Sequence, residues 1–162
     1  MGNLIVVGIS DYKLAKDPGV LVTYALGSCV GICVYDRKLK IGGLSHIMLP
    51  DSSMFRSGEI NRMKFADTAI PDMVDILMRK GADRKSLSAK IAGGAQMFKV
   101  QEDSALGNIG DRNIKSVKVM LGELRIPIMA EDTGLNYGRT VFFDIATGIM
   151  KVQSLNRSIS EY

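Results

Sequence analysis

The single histidine of the chain, His46, and both of its cysteines, Cys29 and Cys33, fall within one stretch, LGSCVGICVYDRKLKIGGLSHIMLP, running from Leu26 to Pro50. A thiol beside an imidazole is a nucleophile beside a base. A free cysteine is only a few per cent thiolate near neutrality, and a neighbouring ring raises its reactivity by taking the proton and stabilising the anion. Such a pair performs acyl transfer. Gly27-Ser28, just before Cys29, can form a tight turn whose backbone N–H groups, with that of Cys29, hold a developing oxyanion. Thr23, on the neighbouring strand, is a candidate to hydrogen-bond the far ring nitrogen of His46 and fix its tautomer.

The same residues have plainer readings. Free cysteine is among the most buried residue types, so a cysteine near a histidine can be structural. One histidine and two cysteines in a CxxxC spacing, without HxH or CxxC, fall short of a zinc site, and no metal or cofactor is expected. Cys29 and Cys33 on one extended segment share a face but lie too far apart for a disulfide, so both are expected to be free thiols. A redox role would make Cys33 as important as Cys29, yet the sequence shows no charged partner for Cys33. Gly93-Gly94-Ala95 lacks a P-loop lysine and reads as a strand-end turn or close packing point.

Positioning the pair falls to a hairpin, Cys29–Tyr35 against Ile41–Leu49. Side chains alternate faces along a strand, so the connecting loop decides whether Cys29 and His46 meet. A two-residue loop, Arg37-Lys38, sets them directly opposite each other. A four-residue loop, Arg37 to Lys40, makes them diagonal, and a three-residue loop without a bulge puts them on opposite faces. Either even register lets thiol meet imidazole.

The elements around the hairpin follow from periodicity. Leu4–Ile9 and Val20–Leu26 read as strands, with Asp17-Pro18-Gly19 as the turn before the second. After a polar loop, Phe65, Ala66, Ala69, Ile70, Met73, Val74, Leu77 and Met78 recur at helical spacing, with Gly81 as a stop and Pro71 predicting a kink or a break. Leu87–Ala92 is a buried strand. Asp111 is placed to cap a second helix with the stripe Ile114, Val117, Leu121 and Leu124, closed by Pro127. Ile128–Ala130, Arg139–Asp144 and Ile149–Leu155 supply further strands. Four consecutive strands ahead of any helix predict an α+β fold, with antiparallel or mixed sheets and helices over one or both outer faces.

The 162 residues suffice for one domain, 1–162, with a hydrophobic core of its own. At 46% hydrophobic and 23% charged residues the composition excludes a disordered chain. The apolar run Leu4–Ile9 is too short for a signal-peptide core or membrane span, so a cytoplasmic location without membrane insertion is expected. A net charge of +4 could suggest nucleic acid. The basic residues are scattered with little aromatic interleaving, so no nucleic-acid partner is expected, and an acidic protein partner fits as well.

Longer motifs add a family. Thr23-Tyr-Ala-Leu-Gly-Ser-Cys29-Val-Gly and Gly42-Gly-Leu-Ser-His46-Ile-Met-Leu-Pro50 resemble the signature of the bacterial chemoreceptor glutamine deamidases, the CheD family. The likeness continues through Lys64–Pro71, Gly93–Phe98, Ile109–Asn113 and Asp132–Arg139, nearly the whole chain. One departure is Leu135, where the family pattern implies a second glycine after Gly134. The resemblance implies a layered α/β sandwich similar to the catalytic domain of cytotoxic-necrotizing-factor toxins. It implies hydrolysis of glutamine side chains to glutamate on methyl-accepting chemotaxis receptors. Cys29 would be the nucleophile, His46 the general base and acid, and Thr23 the residue orienting His46. It also implies a protein partner, a CheC-type phosphatase of CheY, and so a rival reading as a regulatory module. Hydrolysis of receptor methyl esters would use the same acyl-enzyme. A monomer that enters heterocomplexes is expected.

Overall fold

A computed structural model describes residues 3–55, 58–97, 107–156 and 158–162. In chain order the elements are β1 Leu4–Val6, β2 Asp11–Lys16, β3 Val20–Leu26, β4 Val30–Asp36, β5 Ile41–Ile47, α1 Ala66–Arg79, β6 Leu87–Gly93, α2 Ile109–Glu123, β7 Ile128–Thr133, β8 Arg139–Asp144, β9 Met150–Ser154 and β10 Ile159–Glu161. The strands form two five-stranded sheets, ordered β1-β3-β8-β9-β10 and β2-β5-β4-β6-β7. Each is mixed: β1 runs parallel to β3, β6 parallel to β7, and the other pairings are antiparallel.

The pleat of β4 explains the layering. Val30, Ile32 and Val34 point to one side, where they join Ile70, Met73 and Leu77 of α1 and Val117 and Leu121 of α2 in one apolar cluster. Cys33 points to the other side, into a second cluster built with Leu21, Leu26, Val141, Phe143 and Met150 of the opposing sheet. The result is an α+β sandwich of helices, sheet and sheet, with both helices on one outer face. Full burial of a side chain such as Phe143 contributes about 2–3 kcal/mol. The outer face of the β1-β3-β8-β9-β10 sheet leaves Leu4, Val6, Tyr24 and Ile159 exposed.

Several local expectations need revision. The segment Asp11–Lys16 is a strand paired with β5, although its mostly polar sequence gave no strand signal; it is an edge strand, where half-burial suffices. β10 is a short exposed edge strand of the same kind. α1 runs unbroken through Pro71, which sits near its N-terminal end, so the missing N–H removes one hydrogen bond. Asp111 is not the cap of α2: Asn108 holds that position, and Asp111 lies in the first turn, paired with Lys115 at 2.9 Å. Leu135 adopts the left-handed φ of 60° that a glycine would take freely, exposed at a loop tip.

The hairpin register is set by Asp36. Its buried carboxylate accepts from Lys38 N (2.9 Å), Leu39 N (3.1 Å) and Asp83 N (3.2 Å), closing a four-residue loop between Asp36 and its partner Ile41. Gly31 therefore lies opposite His46, and Cys29, two residues earlier, stands one diagonal step away. Of the two even registers, the four-residue loop is the one adopted.

Candidate active site

His46 comes from β5, Thr23 from β3 in the opposing sheet, and Cys29 from the bend that links β3 to β4. His46 alternates with Leu44 on the face toward the other sheet and is fully buried. Thr23, equally buried, reaches across the interface: its Oγ1 lies 2.7 Å from His46 Nδ1 and donates to Val7 O at 2.8 Å. A carbonyl can only accept, so the hydroxyl proton is committed to Val7. Oγ1 then accepts from Nδ1–H, and the Nε2 lone pair is left free. His46 Nε2 has no hydrogen-bond partner among the described residues. A buried, deprotonated nitrogen without a partner is a base awaiting a proton.

Electrostatics set the resting state. Burial lowers the His46 pKa to about 4, so the ring is neutral at pH 7. Burial raises the half-buried Cys29 thiol, opposed by its own backbone N–H. Both shifts favour thiol beside neutral imidazole over thiolate beside imidazolium. Cys33 is wholly buried and its thiol is pushed far up by desolvation. Its register partner Lys90, a charged neighbour hidden in the sequence, opposes that shift without overcoming it.

The Gly27–Cys29 bend is held by its carbonyls. Gly27 O accepts from Ala95 N and Cys29 O from Gly94 N, each at 2.8 Å, while Ser28 O accepts from Asn113 Nδ2 at 2.9 Å. In a planar trans peptide the C=O and the following N–H point in opposite directions. Fixing these carbonyls inward turns the N–H groups of Ser28 and Cys29 outward, and neither donates to another backbone group among the described residues. Gly27 N–H itself donates to Ala25 O at 3.1 Å. Gly93 allows this arrangement: it has φ 109°, and a Cβ there would lie 2.3 Å from Cys29 O.

Exposed Met48 and Met97 lie close to the bend, Met97 against Gly27 and Met48 two residues past His46; Met54 and Phe55 continue from Met48 along the same loop. The Ser52–Gly58 loop is anchored by Ser52, whose N and Oγ donate to Asp67 at 2.9 and 2.7 Å. Its residues 56 and 57, and Phe98, lie outside the described residues. Among the described residues no cluster of three His, Cys, Asp or Glu side chains could hold a metal ion, and no helix is long and apolar enough to cross a membrane. A cavity of about 710 Å³ is lined by Cys33, Lys90 and Arg37 among others, and neither Cys29 nor His46 lines it.

Asn113 escaped the sequence reading as a site residue. The signal was present: it precedes Val117 and Leu121 at four-residue spacing, so it continues the buried stripe of α2 with an amide where an apolar side chain would ordinarily stand.

Comparison with known proteins agrees with this architecture. The family described as CheD chemotactic sensory transduction matches residues 48–154. A Clostridium novyi (strain NT) protein named "Probable chemoreceptor glutamine deamidase CheD" is 50% identical over 153 residues, 94% of each chain. A Moorella thermoacetica protein of the same name is 51% identical over 154 residues, covering 94% of this chain and 92% of its own. In fold alone, the Bacillus licheniformis hypothetical protein YfiH is similar, with a TM-score of 0.51 and 15% identity over 78% of this chain, which spans about half the length of that protein. Near-complete coverage at half identity, together with a family match over most of the sequence, means that the chain belongs to the CheD family.

Proposed function

We propose that this protein hydrolyses glutamine side-chain amides of chemoreceptors to glutamate, with Cys29 as nucleophile and His46 as general base and acid. The observation that carries the reading is the free, buried Nε2 of His46, its tautomer set by Thr23, one diagonal step from the thiol. The names of the relatives support the amide substrate and the receptor.

Because thiol and imidazole both rest neutral, proton transfer accompanies attack. His46 Nε2 takes the thiol proton as Sγ bonds to the amide carbon, and the Ser28 and Cys29 N–H groups receive the developing oxyanion. The imidazolium then gives its proton to the departing nitrogen, which leaves as ammonia. His46 next activates water, which cleaves the thioester to glutamate and the free thiol. A glutamate methyl ester could enter the same acyl-enzyme, releasing methanol. The exposed methionines beside the bend offer an apolar, adaptable rim for a helical receptor segment. Binding of a CheC-type phosphatase belongs to the same proposal and would survive removal of the thiol.

The test is mass spectrometry of a receptor cytoplasmic fragment after incubation with the protein, beside a Cys29→Ala control, together with iodoacetamide labelling of the free enzyme. Expected are amide-to-acid conversion by the unmodified protein alone, and labelling of Cys29 that rises with pH beyond the ordinary thiol range while Cys33 stays unlabelled. Conversion that persists in Cys29→Ala, or none on several receptors, overturns the enzymatic reading.

A further inference from the structure

We propose that Asn113 is a positioning residue for the oxyanion-binding peptide, joining the nucleophile bend to the end of the strand that carries the base. Its Nδ2 donates at 2.9 Å to Ser28 O and at 2.9 Å to Met48 O. Ser28 precedes Cys29, and Met48 follows His46 by two residues. Both partners are carbonyls, which can only accept, so the amide orientation is forced: both Nδ2 hydrogens are committed and Oδ1 faces elsewhere. The side chain is fully buried, and Oδ1 has no partner among the described residues. An asparagine in a helix interior is a weak helix former, and here it also leaves an acceptor unpaired. Those costs are offset only by what its Nδ2 holds.

What it holds is the Ser28–Cys29 peptide. With the carbonyl drawn toward α2, the Cys29 N–H points the opposite way, out of the helix-facing layer. Without Asn113 this carbonyl has no other donor among the described residues, and the peptide is free to rotate. The neighbouring carbonyls of Gly27 and Cys29 keep their own donors, Ala95 N and Gly94 N, so the thiol stays in place. Helix α2 comes this close because Gly110, one turn earlier, sits flush on Gly94-Ala95, the segment whose N–H groups hold the Cys29 and Gly27 carbonyls: a Cβ there would lie 2.5 Å from Ala95 O. The role rests on the acyl-transfer reading of Cys29 and adds to it a residue from outside the five that the sequence offered.

The experiment compares Asn113→Leu and Asn113→Ala with the unmodified protein in three assays. Receptor deamidation is expected to lose about 30- to 100-fold in kcat, with KM within about threefold, below the roughly 100- to 1000-fold of deleting an oxyanion donor outright because a freed peptide still visits the productive orientation. Acylation of Cys29 by p-nitrophenyl acetate, which forms the thioester and releases nitrophenolate without any receptor, should fall by a similar factor. Alkylation of Cys29 by iodoacetamide displaces iodide and builds no oxyanion, so it should stay within about threefold. A folded variant with undiminished acylation overturns the proposal. So does alkylation that falls in parallel with acylation, or failure of both variants to fold by circular dichroism, since either makes Asn113 a residue of general stability. If the unmodified protein deamidates no receptor yet acylation still depends on Asn113, the substrate reading fails and this role stands.

Discussion

Replacing Thr23 by valine tests how the base is made. The substitution keeps the branched shape and deletes one oxygen, which lies 2.7 Å from His46 Nδ1 and 2.8 Å from Val7 O. Two buried polar groups then lose their partner, at a cost of about 1–3 kcal/mol in stability. The catalytic effect is separate. Without Oγ1 to accept from Nδ1, the proton is no longer held there, and a ring protonated on Nε2 cannot accept from the thiol. The mixture of tautomers alone costs about twofold, but the same oxygen also accepts from the imidazolium formed in the transition state, and losing roughly 1.4–2.7 kcal/mol of that charge-assisted bond corresponds to about a 10- to 100-fold loss in kcat. Thr23→Ser, which restores the oxygen, should recover most of it. Because the chain contains one histidine, nitrogen NMR of labelled protein reads this imidazole without overlap. The unmodified protein should show a protonated Nδ1 and a bare Nε2, and Thr23→Val a mixture of the two tautomers. A Thr23→Val protein that deamidates within threefold of the unmodified rate, or an unmodified ring protonated on Nε2, refutes the reasoning.

Two further outcomes follow from the same geometry. His46 has a folded pKa of about 4 against 6.5 for the free side chain, so the unfolded chain binds more protons between those values; the stability it contributes is complete above pH 6.5 and is lost as pH falls toward 4, by about 3 kcal/mol in all. Urea midpoints across that range should fall more steeply for the unmodified protein than for His46→Gln, and parallel slopes would count against a buried neutral ring. Gly93→Ala combines a φ of 109° with a Cβ 2.3 Å from Cys29 O; expected are about 1–3 kcal/mol of destabilisation and a loss of activity of at least tenfold, checked by thermal melting and the receptor assay, and a variant with normal values of both would show that the bend yields easily.

The family was legible from its longer motifs, and Cys29 and His46 stood out as candidates because their types are scarce: one histidine and two cysteines leave few ways to set a nucleophile beside a base. The layers were legible too, since four strands ahead of a helix restrict the architecture, and the helical stripes of α1 and α2 match their buried faces. Register stayed open among loops of two, three and four residues, because the decision rests with the Asp36 carboxylate, which adds to its local bonds with Lys38 and Leu39 one to Asp83, 47 residues away in the chain. β2 escaped notice because an edge strand can be half polar. Asn113 escaped because its meaning lies in two carbonyls, at Ser28 and Met48, that no side-chain pattern reports.

The hydrogen bond between Thr23 and His46 joins one sheet to the other. A chain that has formed its hairpin but has not yet docked the second sheet carries a cysteine and a histidine without an acceptor from Thr23 to hold the ring's proton. Glutamine is abundant on every protein surface, and a promiscuous amidase emerging from the ribosome would scar its neighbours. In the proposed mechanism, placing the orienting hydroxyl on the far side of the core makes chemical competence depend on both sheets being docked, so a copy whose sheets have parted would be disarmed by the same opening that exposes its interior.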